Sequence, residues 1–441
     1  MRVKLILVFC LIAALAMACL ESNPQPSPAG NNTLGSTDMS SPAAIDIPMN
    51  FEGEAEVRAQ DTGAGPDIAP PDPCVGGLCP ASAGAAPDPS LKGPFPVGVR
   101  TYNLQLKGSD GQPRVIRYEV WYPTTEEFRH GPSDTIDFYD DAPDYLKEVV
   151  GKYEGYLPPI QVDAVRDAPV RSNGPYPLVL FSHGAYGLRF QSLFFTIGLA
   201  SHGYVVAAPD HDGNVLYNLL EADGYNKDDL IVSGLDRPLD ATAVIDDMLT
   251  RNDTGVDPFF ETIDPDRIGA SGHSFGGYTA MYLGFADDRV DAVLALQPTT
   301  APFSILGFKY EDFGAPVMMM AGRLDKTLDY DAEMYQPYLQ LPDPKYYVEL
   351  TSGGHFTYTN LCDLDLLYIA NDLGIKDAEN ALTDGCGEEN ILPEEAHPII
   401  NQFGIGFFNF YLRNSQMSAS FFDQTAADAH GGALYFESSA P

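Results

Sequence analysis

The chain has 441 residues, enough for one large domain or two ordinary ones with a sizeable core. It carries 62 acidic against 25 basic side chains, a formal charge of −37. Such a surface repels phosphate backbones and anionic headgroups, so nucleic acid is excluded as a partner class.

Arg2 and Lys4 precede an apolar run from Leu5 to Ala18, too short to span a bilayer and of the length of a secretory signal. Residues 1–18 are therefore expected to be a signal peptide and the protein to be exported. Ala16-Met17-Ala18 before Cys19 fits a small-residue cleavage site. A Cys after small residues also fits a bacterial lipobox, and both readings cut the same bond. Lipidation at Cys19 would give an outer-membrane or cell-surface lipoprotein; without it the mature protein is periplasmic or secreted. Cys10 leaves with the signal. Cys74, Cys79, Cys362 and Cys386 remain, an even number in an oxidising compartment. Proximity favours Cys74 with Cys79 and Cys362 with Cys386, the latter closing a loop of about 25 residues.

Residues 19–94 read as a tether. From Leu20 to Pro94 there are 13 prolines and 9 glycines but one aromatic, Phe51, too little apolar surface to offset the entropy of ordering. A catalytic domain is expected over 95–415. It opens with an antiparallel hairpin, Arg100 to Lys107 and Arg114 to Pro123, around Ser109-Asp110-Gly111-Gln112. Residues 133–170 break the pattern with tyrosines among acids and read as an insertion, either a partial cap or a surface loop. Asp134, Asp137, Asp140, Asp141 and Asp144 lack the spacing of an EF-hand loop, so no metal is expected, and no motif calls for a cofactor.

Strands then alternate with helices, the signature of a mostly parallel α/β sheet with helices on both faces. The predicted strands are Leu178 to Ser182, Tyr204 to Ala208, Arg267 to Ser271, Val290 to Leu296, Pro316 to Ala321 and Tyr346 to Leu350. The predicted helices are Ser192 to His202, Pro238 to Arg251, Phe275 to Ala286 and Pro398 to Arg413; 416–441 reads as a weakly patterned tail.

The chemistry lies just past the strand ends, where doubly wound sheets bind ligands. Gly272-His273-Ser274-Phe275-Gly276 has the G-x-S-x-G form of a nucleophile elbow, a tight strand-to-helix turn that exposes the serine. Asp325 follows the fifth of these strands and His355 the sixth. A serine hydroxyl needs a base to take its proton and an acid to orient that base. His355 is the candidate base by elimination among eight histidines, and Asp325 is the preferred acid, with Asp329 and Asp331 as rivals. The backbone N–H groups of Ala185 and Phe275 are the expected oxyanion donors. Tyr186 and Phe356 are candidates for lining an apolar acyl site.

The stretches Leu178 to Gly184, Leu199 to His211 with Gly213-Asn214, Arg237 to Asp240 and Gly272 to Gly277 resemble the platelet-activating-factor acetylhydrolase family and its bacterial relatives called predicted dienelactone hydrolases. Gly353-Gly354-His355-Phe356 and the elbow are also similar to cutinase-like polyester hydrolases. The resemblance runs from about Val99 to Arg413. It implies an α/β-hydrolase fold and a carboxylic ester hydrolase using Ser274, Asp325 and His355. In the acetylhydrolase branch the acid can follow the strand after the elbow, but here that strand ends in Gln297-Pro298. Ser274, where dienelactone hydrolases proper have Cys, argues against that substrate.

The leading expectation is thus an exported serine esterase for small-molecule or lipid esters. A polyester hydrolase and a serine peptidase of the same fold are the enzymatic alternatives. A surface lipoprotein that keeps the fold only for binding is the alternative of another kind. Oligomeric state is not legible.

Overall fold

A computed structural model describes residues 87–172, 174–221, 227–374 and 382–439. The predicted signal, Cys19, Cys74, Cys79 and nearly all of the proposed tether lie outside the described residues.

One ten-stranded sheet organises the chain. In chain order its strands are β1 (Val97–Lys107), β2 (Pro113–Pro123), β5 (Val165–Arg166), β6 (Tyr176–Ser182), β7 (Val205–Pro209), β8 (Ile263–His273), β9 (Val290–Leu296), β10 (Val317–Gly322), β11 (Lys345–Leu350) and β12 (Leu434–Ser439). Their spatial order is β12-β11-β10-β9-β8-β6-β7-β2-β1-β5. From β7 to β11 all neighbours are parallel, while the β1–β2 hairpin and β12 add antiparallel edges. The short strands β3 (Asp134–Ile136) and β4 (Ile160–Val162) pair apart from this sheet.

All seven residues of β6 are buried. Their alternation divides them between two cores: Val179 and Phe181 pack on one face, Leu178 and Leu180 on the other. This period of two, with apolar residues on both faces, is what a strand covered on both sides requires. The longer flanking helices are α1 (Leu193–Ser201), α2 (Lys227–Asp253), α3 (Phe275–Ala286) and α4 (Pro393–Arg413). The first and last supply one core with Phe195, Leu199, Phe403 and Phe407, and the middle pair supply the other with Val244, Ile245, Tyr278 and Met281.

Two helices start earlier than their prolines suggest. In α2, Pro238 stands well inside the helix. It has no N–H to offer the carbonyl of Gly234, four residues back. The Tyr278 hydroxyl donates to that carbonyl instead, at 3.0 Å, so the helix runs through. Likewise α4 begins at Pro393, not Pro398, with a proline in the first turn where its missing N–H costs nothing.

The weakly patterned tail carries regular structure among its described residues. Residues 416–441 contribute a short helix, Gln424–Ala429, and then β12, paired antiparallel with β11 from Leu350↔Leu434 to Lys345↔Ser439. Phe436 is the buried residue of this half-exposed strand. Such a short edge strand has too few apolar positions to announce itself.

The 133–170 segment is packed. Ile136, Phe138, Leu146, Val150, Tyr153, Leu157 and Val162 join the core that includes α1 and α4. Arg189, also buried, ties the segment down by binding Asp141 as well as Asp210 and Glu119.

Candidate active site

The sheet reverses its winding at β6, which has β7 on one side and β8 on the other. Crevices at such switch points, beyond the carboxyl ends of the strands, are where α/β sheets hold ligands. Ser182 ends β6, and Ser274 directly follows β8.

Ser274 has φ 56° and ψ −117°, a conformation costly for a residue with a side chain, by about 1–3 kcal/mol. Its neighbours make the turn feasible. A Cβ on Gly272 would sit 2.2 Å from the Gly276 carbonyl oxygen, and one on Gly276 would sit 1.9 Å from that of Ser182. Both contacts are impossible, so β8, α3 and the end of β6 can converge only through glycine.

The three candidate side chains meet. His355 Nε2 is 3.0 Å from Ser274 Oγ, and His355 Nδ1 is 2.7 Å from Asp325 Oδ2. With an ionised Asp325, the proton sits on Nδ1 and leaves Nε2 free to accept from the serine. The Asp325 carboxylate is fully buried and the His355 side chain nearly so. Burial favours the neutral imidazole, but the charge and hydrogen bond of Asp325, with Asp384 nearby, outweigh it and hold His355 above its ordinary value. Burial likewise opposes ionisation of Asp325. His355 and the N–H groups of Leu328 and Thr327 overcome this and keep it below the usual carboxylate range. The rival acids stand elsewhere: Asp329 caps the following helical turn through Ala332 N–H, and Asp331 accepts from Gln336.

Four further residues, which the sequence did not single out as site residues, wire this arrangement. Gln297, at the end of β9, donates to Asp325 and accepts from Gly322 N–H, so it occupies with an amide the place where an acid was sought. His273 donates from Nε2 to the backbone carbonyl of His355 at 2.9 Å and accepts at Nδ1 from Gln191. Burial drives His273 down to about 3, so it stays neutral. Gln191 also accepts from Gly184 N–H, joining the turn after β6 to the base. Asp384, 1 % exposed, accepts from His355 N–H at 3.1 Å and from Lys326 N–H, Thr327 N–H and the Thr327 hydroxyl at 2.7–2.8 Å. It bridges the acid loop to the base loop, two residues before Cys386, which is disulfide-bonded to Cys362. The only signal that could have marked any of them is the position of Gln297 at a strand end.

Ala185 is exposed in the turn after β6, and Phe275 is the first residue of α3. The turn abuts the nucleophile, since a Cβ on Gly184 would lie 3.4 Å from Ser274 Cβ. Tyr186 follows at φ 52° and is 8 % exposed; the Phe356 ring is half-buried, 5.9 Å from that of His355. Of the phenylalanines of α1, Phe195 is buried in the core and Phe194 stacks on His397 at 3.7 Å. Among the described residues no group of three or more His, Cys, Asp or Glu is placed to hold a metal.

Two family profiles match parts of the chain: platelet-activating factor acetylhydrolase, isoform II, over residues 89–217, and the dienelactone hydrolase family over 162–352. The chain is 29 % identical over 187 residues to a platelet-activating factor acetylhydrolase of Bos taurus, covering 35 % of this chain and 42 % of that protein. It is 29 % identical over 136 residues to the Cavia porcellus protein of the same name, covering 28 % of each. It is 25 % identical over 192 residues to the cutinase est2 of Thermobifida alba, covering 42 % of this chain and 55 % of that protein. The chain thus spans roughly a quarter to just over half of the length of these relatives.

Proposed function

The chain is a member of the α/β-hydrolase superfamily, and we propose that it is a serine hydrolase of carboxylic esters. The observation that carries this is the continuous path from Ser274 Oγ through His355 to Asp325, with contacts of 3.0 and 2.7 Å. Ser274 Oγ attacks the ester carbonyl carbon as its proton passes to His355 Nε2, and Asp325 stabilises the imidazolium that results. The carbonyl oxygen becomes an oxyanion facing the N–H groups of Ala185 and Phe275, each such donor supplying about 3 kcal/mol. Collapse breaks the ester C–O bond, and His355 returns its proton to the departing alcohol. Water, deprotonated by His355, then attacks the acyl-enzyme, and collapse releases the acid and restores Ser274.

Tyr186 and Phe356 are the proposed apolar contacts for the acyl group. Small-molecule or lipid esters suit such a site, in keeping with the names of the relatives. Export through residues 1–18 and lipidation of Cys19 remain part of this proposal, and mass spectrometry of the mature N-terminus decides between a diacylated and a bare cysteine.

A fluorophosphonate probe should label the protein and leave S274A unlabelled. A graded series of acyl esters, a polyester and peptide substrates should then show ester turnover that S274A loses. An unlabelled parent protein favours a binding module, and turnover of peptides alone favours a peptidase.

A further inference from the structure

Arg237, on α2, is fully buried. A buried cation is costly unless paired, yet among the described residues no carboxylate forms an ion pair with it. The acids of its own helix are engaged elsewhere: Asp236 and Asp240 bind Arg114, and Asp240 also binds His211. Burial, helped by the nearby Arg114 charge, pushes the guanidinium down to about 9 against the pull of Asp240, which lies near without touching it.

Its hydrogen-bond partners are neutral, and three of the five, Ser182, His183 and Gly184, lie at the end of β6 and in the turn after it. Nη1 donates to the His183 carbonyl at 2.6 Å and to Ser182 Oγ at 3.3 Å; Nη2 donates to the Gly184 carbonyl at 2.9 Å and to Asn214 Oδ1 at 2.6 Å. Nε donates to Ser233 on the preceding helical turn at 3.0 Å. The Gly184 carbonyl has two further donors, of which one is the Gly187 N–H at 3.1 Å and the other is His183. His183 Nε2 accepts from His211 N–H, so its proton sits on Nδ1, 2.7 Å from that same oxygen.

The Gly184 carbonyl and the Ala185 N–H are two ends of one planar peptide group. Fixing the oxygen from behind fixes the direction of the N–H in front. Drawing electrons toward the oxygen also makes the N–H a stronger donor. The guanidinium further stacks on the Phe275 ring, 4.6 Å from its centroid, and Phe275 supplies the other proposed N–H.

We propose that Arg237 is a positioning residue for the oxyanion site: it aligns and polarises the Gly184–Ala185 amide and braces Phe275. This rests on the ester-hydrolase reading above.

The test compares oxygen and thiono versions of one p-nitrophenyl ester on the parent protein, R237K and R237M. A thiono ester develops its charge on sulfur, a weak acceptor that gains little from N–H donors. Loss of the guanidinium fork should lower kcat on the oxygen ester about ten- to a hundredfold, with KM within about twofold. The thiono rate should fall less than about threefold, so the preference for oxygen over sulfur collapses. A purely structural role would lower both rates alike, and that result, or an unchanged kcat, overturns the proposal. Should neither Arg237 variant fold, N214D decides: a carboxylate beside the guanidinium neutralises it, and the same loss of preference is expected. An unlabelled, inactive parent protein overturns the ester reading and this inference together. An active parent whose S274A variant is dead, but whose preference is unmoved by these variants, overturns only the inference.

Discussion

The balance at His355 is between burial, which disfavours the imidazolium, and two carboxylates, Asp325 in contact and Asp384 nearby, which favour it. The carboxylates win, so the acid limb of kcat/KM should lie above the ordinary imidazole value near 6.5. The sign follows from the chemistry: imidazolium cannot accept the serine proton, so activity appears as pH rises through this group. In D325N the favouring charge is gone and the limb should move to lower pH, measured as kcat/KM between pH 4 and 9. The amide also permits the wrong tautomer, and kcat should drop by about 10³–10⁴. His273 faces the same ring, 4.8 Å away between centroids, but being neutral adds no competing titration near neutrality.

At the scale of elements, the elbow is limited by how closely β6, β8 and α3 approach. G276A places a methyl group 1.9 Å from the Ser182 carbonyl oxygen, which is backbone and cannot swing aside. The variant should lose fluorophosphonate labelling and show a lowered unfolding midpoint, or fail to accumulate. The loop closed by Cys362 and Cys386 carries Asp384, whose carboxylate takes one donor from the base loop and three from the acid loop. Opening it in a C362S/C386S variant should reduce stability by about 3 kcal/mol on the loop-entropy account. It should also lower kcat several-fold, more than KM changes, because the loops of Asp325 and His355 lose their shared acceptor. Chemical denaturation and steady-state kinetics on the same preparation separate the two effects.

For the whole molecule, the buried histidines set the response to acid. Burial pushes His183 and His211 well down, His202 and His397 to about 4, and His273 to about 3. Each folded-state value lies below that of the unfolded chain, so the unfolded state takes up the proton first. The contribution is intact above about pH 6.5 and is lost as pH falls toward 4, at up to about 1.4 kcal/mol per pH unit for each group. The formal charge of −37 works the other way but is screened by salt, and so do His355, Asp210, Asp384 and Asp240, whose raised folded-state values favour the folded protein as pH falls; the five lowered histidines outnumber these four. The unfolding midpoint should therefore fall steadily from pH 7 to pH 4.5 in 0.15 M salt, and a midpoint that stays level would contradict this account.

The elbow, the strand rhythm and the order Ser274, Asp325, His355 were legible in the sequence because each rests on local pattern: glycine spacing, period-two burial, and the residue just past an apolar run. The strand Val290–Leu296 and the helix Phe275–Ala286 are found where periodicity puts them. What the sequence left open depends on partners far apart in the chain. The parallel pairing of β10 with β11 sets their two following loops side by side, and within the first of them it is Asp325, not Asp329 or Asp331, that touches His355. The roles of Gln191, His273, Gln297 and Asp384 likewise arise from polar contacts between loops. Helix α2 runs through Pro238, and the carbonyl this strands is taken by Tyr278 from another helix. Strand β12 is decided by the open edge of β11, since a half-exposed strand of six residues gains its stability from the neighbour it pairs with.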